Sequence, residues 1–92
     1  MSQHWLDGET PKGTVEVLVG WDQPLAYFFM VIESSNHDEP LYSNLYEDDP
    51  ASLTLEYFQT VLERFSIKNI SLEPGHESGL YELLISDRDN GR

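Results

Sequence analysis

The stretch that decides the fold runs from residue 14 to residue 32 and reads TVEVLVGWDQPLAYFFMVI. Its first half places apolar residues at every second position: Val15, Val17, Val19 and Trp21. A period of two is typical of a strand that is buried on one face. Proline at residue 24 then interrupts the pattern, because it fixes its own φ and has no N–H to donate. The run from Leu25 to Ile32 is apolar throughout and rich in aromatic and β-branched residues, which predicts a second strand.

On the C-terminal side of this stretch, the pattern predicts a loop, a third strand and a helix. Residues 33–40 are polar, and residues 41–44 are long enough for a short strand that pairs back on the second. Asp49 is a suitable N-cap and Pro50 suits the first helical position, so the helix is predicted to begin there. Its buried stripe follows at steps of three and four residues: Leu55, Phe58, Leu62 and Phe65.

Residues 80–86 are compatible with two structures. Leu80, Leu83 and Leu84 would share one face of a helix, whereas Tyr81, Leu83 and Ile85 would share one side of an edge strand. We predict a helix, because the polar ending at residues 86–91 resembles a helix C-terminus closed by Asn or Gly.

Together these elements predict an α+β fold of two layers, in which a three-stranded antiparallel meander is followed by two helices. Residues 1–13 are polar and turn-rich, and are expected to form a flexible N-terminal tail. Residues 14–92 are expected to form a single α+β domain, since a chain of 92 residues is too short for two cores.

Three segments of the chain resemble a group of small acidic bacterial proteins for which no activity is known. The segments are VGWDQPLAYFFMVIE at residues 19–33, LYSNL at residues 41–45 and DRDN at residues 87–90. The resemblance implies a bacterial cytosolic setting and carries no activity over to this chain. A cytoplasmic location is also expected because the N-terminal residues lack the basic-then-apolar order of a secretory signal.

Charge is the most informative feature of the composition. The chain has 17 acids and five bases, a formal net charge of −12, so direct binding to a nucleic-acid backbone is not expected. Between Gly13 and Glu63 there are ten acids and no Lys or Arg. The candidates for a partner-binding acidic surface in this segment are Asp38, Glu39, Glu47, Asp48 and Asp49. Such a surface could imitate a phosphate backbone and occupy a nucleic-acid-binding protein, or it could serve solubility alone.

The residue types that carry catalysis or bind metals form no recognisable pattern. The chain has no cysteine, and His4, His37 and His76 are far apart and in predicted tail or loop segments. The acids lack the spacing of a calcium loop, and neither a serine elbow nor a glycine-rich phosphate loop is present. We therefore expect no enzyme, no metal and no cofactor. No apolar run is long enough to span a membrane, so no membrane association is expected.

The apolar second strand supplies the second candidate site. If both helices cover one face of the sheet, the other face exposes half of the strand. That half is either Leu25, Tyr27, Phe29 and Val31 or the alternate set of Ala26, Phe28, Met30 and Ile32. We select the first set as a protein interface, most simply a two-fold homodimer. The alternative is that Trp5, Leu6 and the loops cover this face, or that the helices pack on opposite sides.

These observations predict a small non-enzymatic protein-interaction module that acts in the cytosol by binding another, unidentified protein. The alternative is an acidic nucleic-acid mimic that inhibits a DNA- or RNA-binding protein.

Overall fold

The computed structural model describes residues 2–91, in which a four-stranded antiparallel sheet carries two helices on one of its faces. The elements are β1 (His4–Thr10), β2 (Gly13–Asp22), β3 (Tyr27–Glu33), β4 (Tyr42–Ser43), α1 (Leu55–Arg64) and α2 (Leu80–Asp89). The strands lie in the order in which they occur in the sequence, so the sheet is a simple meander. The prediction of an α+β fold is confirmed, with four strands where three were expected.

The additional strand comes from the segment that was expected to be a tail. That prediction is wrong for residues His4–Thr10, which pair with β2 over their whole length, from His4 opposite Val19 to Thr10 opposite Gly13. The turn between the two strands consists of Pro11 and Lys12. The turn-forming residues that suggested a tail therefore belong to a hairpin, and Met1 lies outside the described residues.

Two side chains from distant parts of the chain hold β1 in the sheet. The Asn69 side chain accepts a hydrogen bond from the Glu9 backbone N–H and donates one to the Asp7 carbonyl, both at 2.8 Å. This amide occupies the outer edge of β1, where unpaired backbone groups would otherwise be exposed. At the start of the strand, His4 Nε2 lies 2.6 Å from Asp87 Oδ2 on α2.

A single hydrophobic cluster fills the space between the sheet and the helices. In β3 the side chains of Phe28, Met30 and Ile32 are buried in this cluster, whereas the residues between them are half-buried. The helices and the segment that connects them supply the opposite side of the cluster: Leu55, Phe58, Val61, Leu62, Ile67, Ile70, Leu72, Leu80 and Leu84. The shortest dimension of the molecule is 19 Å, which fits one helical layer on one sheet.

The first helix begins later than predicted. Asp49 and Pro50 start a short 3-10 helix over Pro50–Ser52, and the Asp49 side chain makes no capping bond there. The N-cap of α1 is Thr54, whose hydroxyl accepts a hydrogen bond from the Tyr57 backbone N–H at 3.1 Å. A Thr at this position satisfies an otherwise unpaired N–H of the first turn. The predicted stripe is otherwise correct, with Phe58 and Leu62 fully buried.

The helix predicted over residues 80–86 is confirmed as part of α2, and the alternative of an edge strand is wrong. Its N-cap is Gly79, whose φ of 70° lies in the left-handed region that glycine adopts without strain. The helix buries Leu80, Leu84 and Asp87, at spacings of four and three, against the sheet.

Candidate functional site

The face of the sheet that points away from the helices carries an apolar patch, which we call the open face. Side chains alternate along each strand, so the core positions of β2 and β3 leave Leu18, Phe29 and Val31 on the opposite side. Trp5 of β1 lies directly opposite Leu18, which in turn lies opposite Val31. Because 57% of the Trp5 side chain surface is exposed, the apolar row Trp5–Leu18–Val31 presents an aromatic ring to solvent.

Phe29 extends the open face by one further row. It pairs with Gly20, and a Cβ placed on Gly20 would lie 2.7 Å from Phe29 Cζ and 2.1 Å from the Ser2 carbonyl oxygen. Both distances are too short for any side chain, so glycine at residue 20 allows the Phe29 ring to lie across β2. The Phe29 ring therefore lies over Gly20 of β2 and adds to the apolar patch.

A row of carboxylates borders this apolar patch. Asp7, Glu16 and Glu33 occupy directly paired positions on β1, β2 and β3, and all three are exposed. We call these three residues the acidic row. Directly opposed side chains in an antiparallel pair have Cβ atoms about 5 Å apart, and like charges at such positions destabilise the sheet. None of the four strands contains a Lys or Arg that could compensate this charge.

The predicted interface residues fall into two groups. Tyr27, Phe29 and Val31 belong to β3 and are half-buried on the face that does not contact the helices. Leu25 instead lies in the turn between β2 and β3, where it is exposed, because the strand begins only at Tyr27. Trp5 and Leu18 were not predicted as interface residues. Residues 1–13 were expected to form a tail, so β2 was expected to have no neighbouring strand on that side.

The acidic row was also missed, although the sequence holds a signal for it. In residues 4–10, Leu6 and Gly8 alternate with Trp5, Asp7 and Glu9, the period of two of a strand. The turn residues that follow would then predict a hairpin with β2. Only the register of that hairpin places Asp7 opposite Glu16.

The acids selected from the sequence lie in loops away from the strands. Asp38 and Glu39 are exposed in the loop between β3 and β4, and Asp48 and Asp49 are exposed before the 3-10 helix Pro50–Ser52. Glu47 differs from the other four, because its Oε2 accepts hydrogen bonds from Tyr42 Oη at 2.8 Å and Tyr57 Oη at 2.7 Å. Glu47 is thus committed to intramolecular bonds that join β4 to α1.

These bonds change the acidity of the groups that make them. The hydrogen bonds from Tyr57 and Tyr42 stabilise the charged form of Glu47 and lower the pKa of its carboxyl. Burial, together with the hydrogen bond to Glu47, raises the pKa of the Tyr42 phenol well above its ordinary value. The hydrogen bond between Tyr57 and Arg64 raises the pKa of the Arg64 guanidinium.

Replacing Glu47 with alanine is expected to lower the free energy of unfolding by about 1 to 2 kcal/mol at neutral pH, because two phenols lose a charged acceptor. The folded-state pKa of Glu47 is depressed below the ordinary value of 4.5, so this stabilisation is present above pH 4.5. It is lost as the pH falls through the lowered pKa of the folded state. Urea unfolding of both proteins across this pH range measures the difference.

The neighbouring substitution Asp48→Ala serves as the control for that experiment, since Asp48 is an exposed acid in the same loop. A penalty for Glu47→Ala that stays constant down to pH about 2, or an equal penalty for Asp48→Ala, would contradict this assignment.

The three histidines lie in unrelated places. His4, expected in a tail, contacts the Asp87 carboxylate, whose side chain is only 3% exposed, and so joins β1 to α2. His37 is exposed in the loop between β3 and β4, and His76 Nδ1 lies 2.9 Å from Ser78 Oγ in the segment before α2. Among residues 2–91, no three His, Asp or Glu side chains are arranged to hold a metal ion.

Comparisons with protein-family models, with curated proteins and with solved structures give no significant match. The resemblance to a group of small acidic bacterial proteins therefore stays a prediction from the sequence. Within the described part of the chain, neither helix has the length and apolar character needed to cross a membrane.

Proposed function

We propose that this protein is a non-enzymatic interaction module of the bacterial cytosol that binds a basic partner protein through its open face. The observation that carries the proposal is the apolar row Trp5–Leu18–Val31, which lies next to the acidic row on the same side of the sheet. Apolar area supplies affinity on association, and charge complementarity selects the partner.

The charge of the open face indicates the chemistry of the partner. Three exposed carboxylates at directly paired positions repel one another, and lysine or arginine side chains of a partner would remove that repulsion. An aromatic ring beside these carboxylates suits a partner whose basic residues alternate with apolar ones. Such a partner combines Lys or Arg with Leu, Phe or Trp on one surface.

The same charges disfavour a second copy of the chain as the occupant. A two-fold interface presents the same patch from both subunits, so each copy would bring its own acidic row. The strands contain no Lys or Arg to pair with those carboxylates. A homodimer through this face is therefore disfavoured. The binding experiment distinguishes a homodimer from a complex with a basic partner.

Selection from a library of displayed short peptides tests the proposal without a known partner. We expect enriched peptides to combine basic and apolar residues. The double substitution Glu16→Lys and Glu33→Lys should weaken their binding at least about tenfold. The matched control is Glu73→Lys with Glu77→Lys, which changes the net charge equally at exposed positions between the helices. Binding is measured by fluorescence anisotropy at about 0.05 M and about 0.5 M salt.

Three results would contradict the proposal. The first is enrichment of peptides that contain no basic residues. The second is that the control substitutions at Glu73 and Glu77 weaken peptide binding as much as those at Glu16 and Glu33. The third is a stable dimer in sedimentation whose interface includes Trp5. The last result would assign the open face to a second copy.

The nucleic-acid mimic remains the second candidate, and the exposed positions of Asp38, Glu39, Asp48 and Asp49 in two loops favour it. A mimic needs carboxylates that follow the phosphates of a strand, at spacings of about 6 to 7 Å. Lysine at these four positions would abolish binding to a nucleic-acid-binding protein if they act as the mimic. It would leave binding of the selected peptides intact if the open face is the site.

A further inference from the structure

A cavity at one end of the sheet differs in charge from the rest of the molecule. It has a volume of about 750 Å³ and lies between the β1–β2 turn, the β3–β4 loop and the end of α1. The chain has 17 acids, yet no Asp or Glu is among the residues that line this cavity. Lys12 and Arg64, two of the five bases, do line it.

The remaining lining residues are of two kinds, polar and apolar. The polar ones include Ser34, Ser35 and Asn36 of the β3–β4 loop and Ser66 after α1. The apolar ones include Leu41 and Phe65, which are both half-buried. Sites for small molecules combine a largely apolar lining with a few polar groups that fix the orientation of the ligand.

One residue in the lining of the cavity has an unusual backbone conformation. Ser66 has a φ of 59°, in the left-handed region that residues other than glycine seldom adopt. This conformation follows directly after the C-cap of α1, Phe65, and ends the helix. The reversal places Arg64, Phe65 and Ser66 together on the wall of the cavity.

We infer that this cavity binds a small amphiphilic anion, in which a phosphate or carboxylate is joined to an aromatic or aliphatic body. The anionic group would lie near Lys12 and Arg64, whose guanidinium also donates to Tyr57 Oη at 3.5 Å, with further donors from Ser34, Ser35, Asn36 or Ser66. The apolar body would cover Leu41 and Phe65. Carboxylates on the lining would repel such a ligand, whereas this lining combines two bases with no carboxylate.

The test uses 1-naphthyl phosphate, with 1-naphthol, inorganic phosphate and 1-naphthylacetate as comparison ligands. Isothermal titration and amide chemical shifts of the full chain report affinity and place. We expect 1-naphthyl phosphate or 1-naphthylacetate to bind at least about tenfold more tightly than 1-naphthol and than phosphate alone, because both parts of the site must be filled. Which of the two anions binds more tightly identifies the phosphate or carboxylate source.

The variant Lys12→Gln with Arg64→Gln should weaken this binding at least about tenfold, and Ser35→Glu, which places a carboxylate in the cavity, should do the same. The control Arg88→Gln removes an exposed base on α2 and should leave binding unchanged. Equal affinity for 1-naphthol, unchanged binding in both cavity variants, or shifts confined to the open face would overturn the inference. Since Glu16→Lys with Glu33→Lys leaves the cavity intact, failure here is distinguishable from failure of the proposed partner surface.

Discussion

Replacement of Trp5 with alanine is expected to weaken binding of a selected basic peptide to the open face by about 100-fold. Trp is among the residue types that are enriched at interface hot spots, where truncation costs about 2 kcal/mol or more. Trp5 is the aromatic residue of the apolar row and is 57% exposed in the free molecule, so a partner that covers the row would bury its ring. The measurement is fluorescence anisotropy with the labelled peptide.

The substitution should leave the fold intact, since Trp5 is largely exposed on an edge strand and has one directly opposite cross-strand neighbour, Leu18. Loss of that pair costs up to about 1 kcal/mol, which urea unfolding will detect. Leu45→Ala is the matched control, because Leu45 is also an exposed apolar residue, at 67%, but lies just after β4, at the opposite edge of the sheet from β1. If both substitutions weaken binding equally, or if neither does, the open face is not the site of recognition.

Replacement of Phe58 with alanine is expected to lower the free energy of unfolding by about 3 to 5 kcal/mol. Phe58 is the largest side chain that is fully buried, and it lies between the helices and the sheet. Truncation removes its apolar transfer energy and leaves a cavity that close packing prevents from collapsing completely. Small domains have free energies of unfolding of about 5 to 15 kcal/mol, so this single substitution would remove a large part of the stability.

Urea unfolding followed by near-ultraviolet circular dichroism measures the loss. Leu45→Ala provides the control, because Leu45 is a large apolar residue that is mostly exposed and should contribute less than about 0.5 kcal/mol. A loss below about 1 kcal/mol for Phe58→Ala would mean that the packing around α1 differs from the one described here.

The two central strands and both helices could be predicted from local pattern. In β2 the apolar residues Val15, Val17 and Val19 recur with a period of two, which predicts one buried side. In α1 the apolar residues recur at steps of three and four, which predicts the buried side of the helix. The start of α1 was misplaced because Asp49 and Pro50 carry the local signature of a helix start. Thr54, which has a capping hydroxyl as well, is the residue that satisfies the first turn.

The N-terminal strand was missed because its turn-forming residues obscured a short period of two, and because the side chains that contact its outer edge and its first residue come from distant parts of the chain. Asn69 occupies its outer edge, and Asp87 contacts His4 at its first residue. The side chains concerned are polar in the sequence and carry no periodic signal. Without β1, the acidic row and Trp5 have no position on the sheet, which explains why the candidate acids were sought in the loops.

Sequence alone therefore determined the charge of −12, the α+β class and the alternation of Val15, Val17, Val19 and Trp21 that gives β2 its buried side. Those properties are local, since each residue's character and spacing suffice to state them. Tertiary structure decided which residues share a site: Asp7, Glu16 and Glu33 on the open face, and Lys12 and Arg64 in the lining of a cavity that no carboxylate lines. Strand register and helix packing bring these groups together across as many as 52 positions of sequence, the difference between residues 12 and 64. No pattern confined to neighbouring residues contains that information.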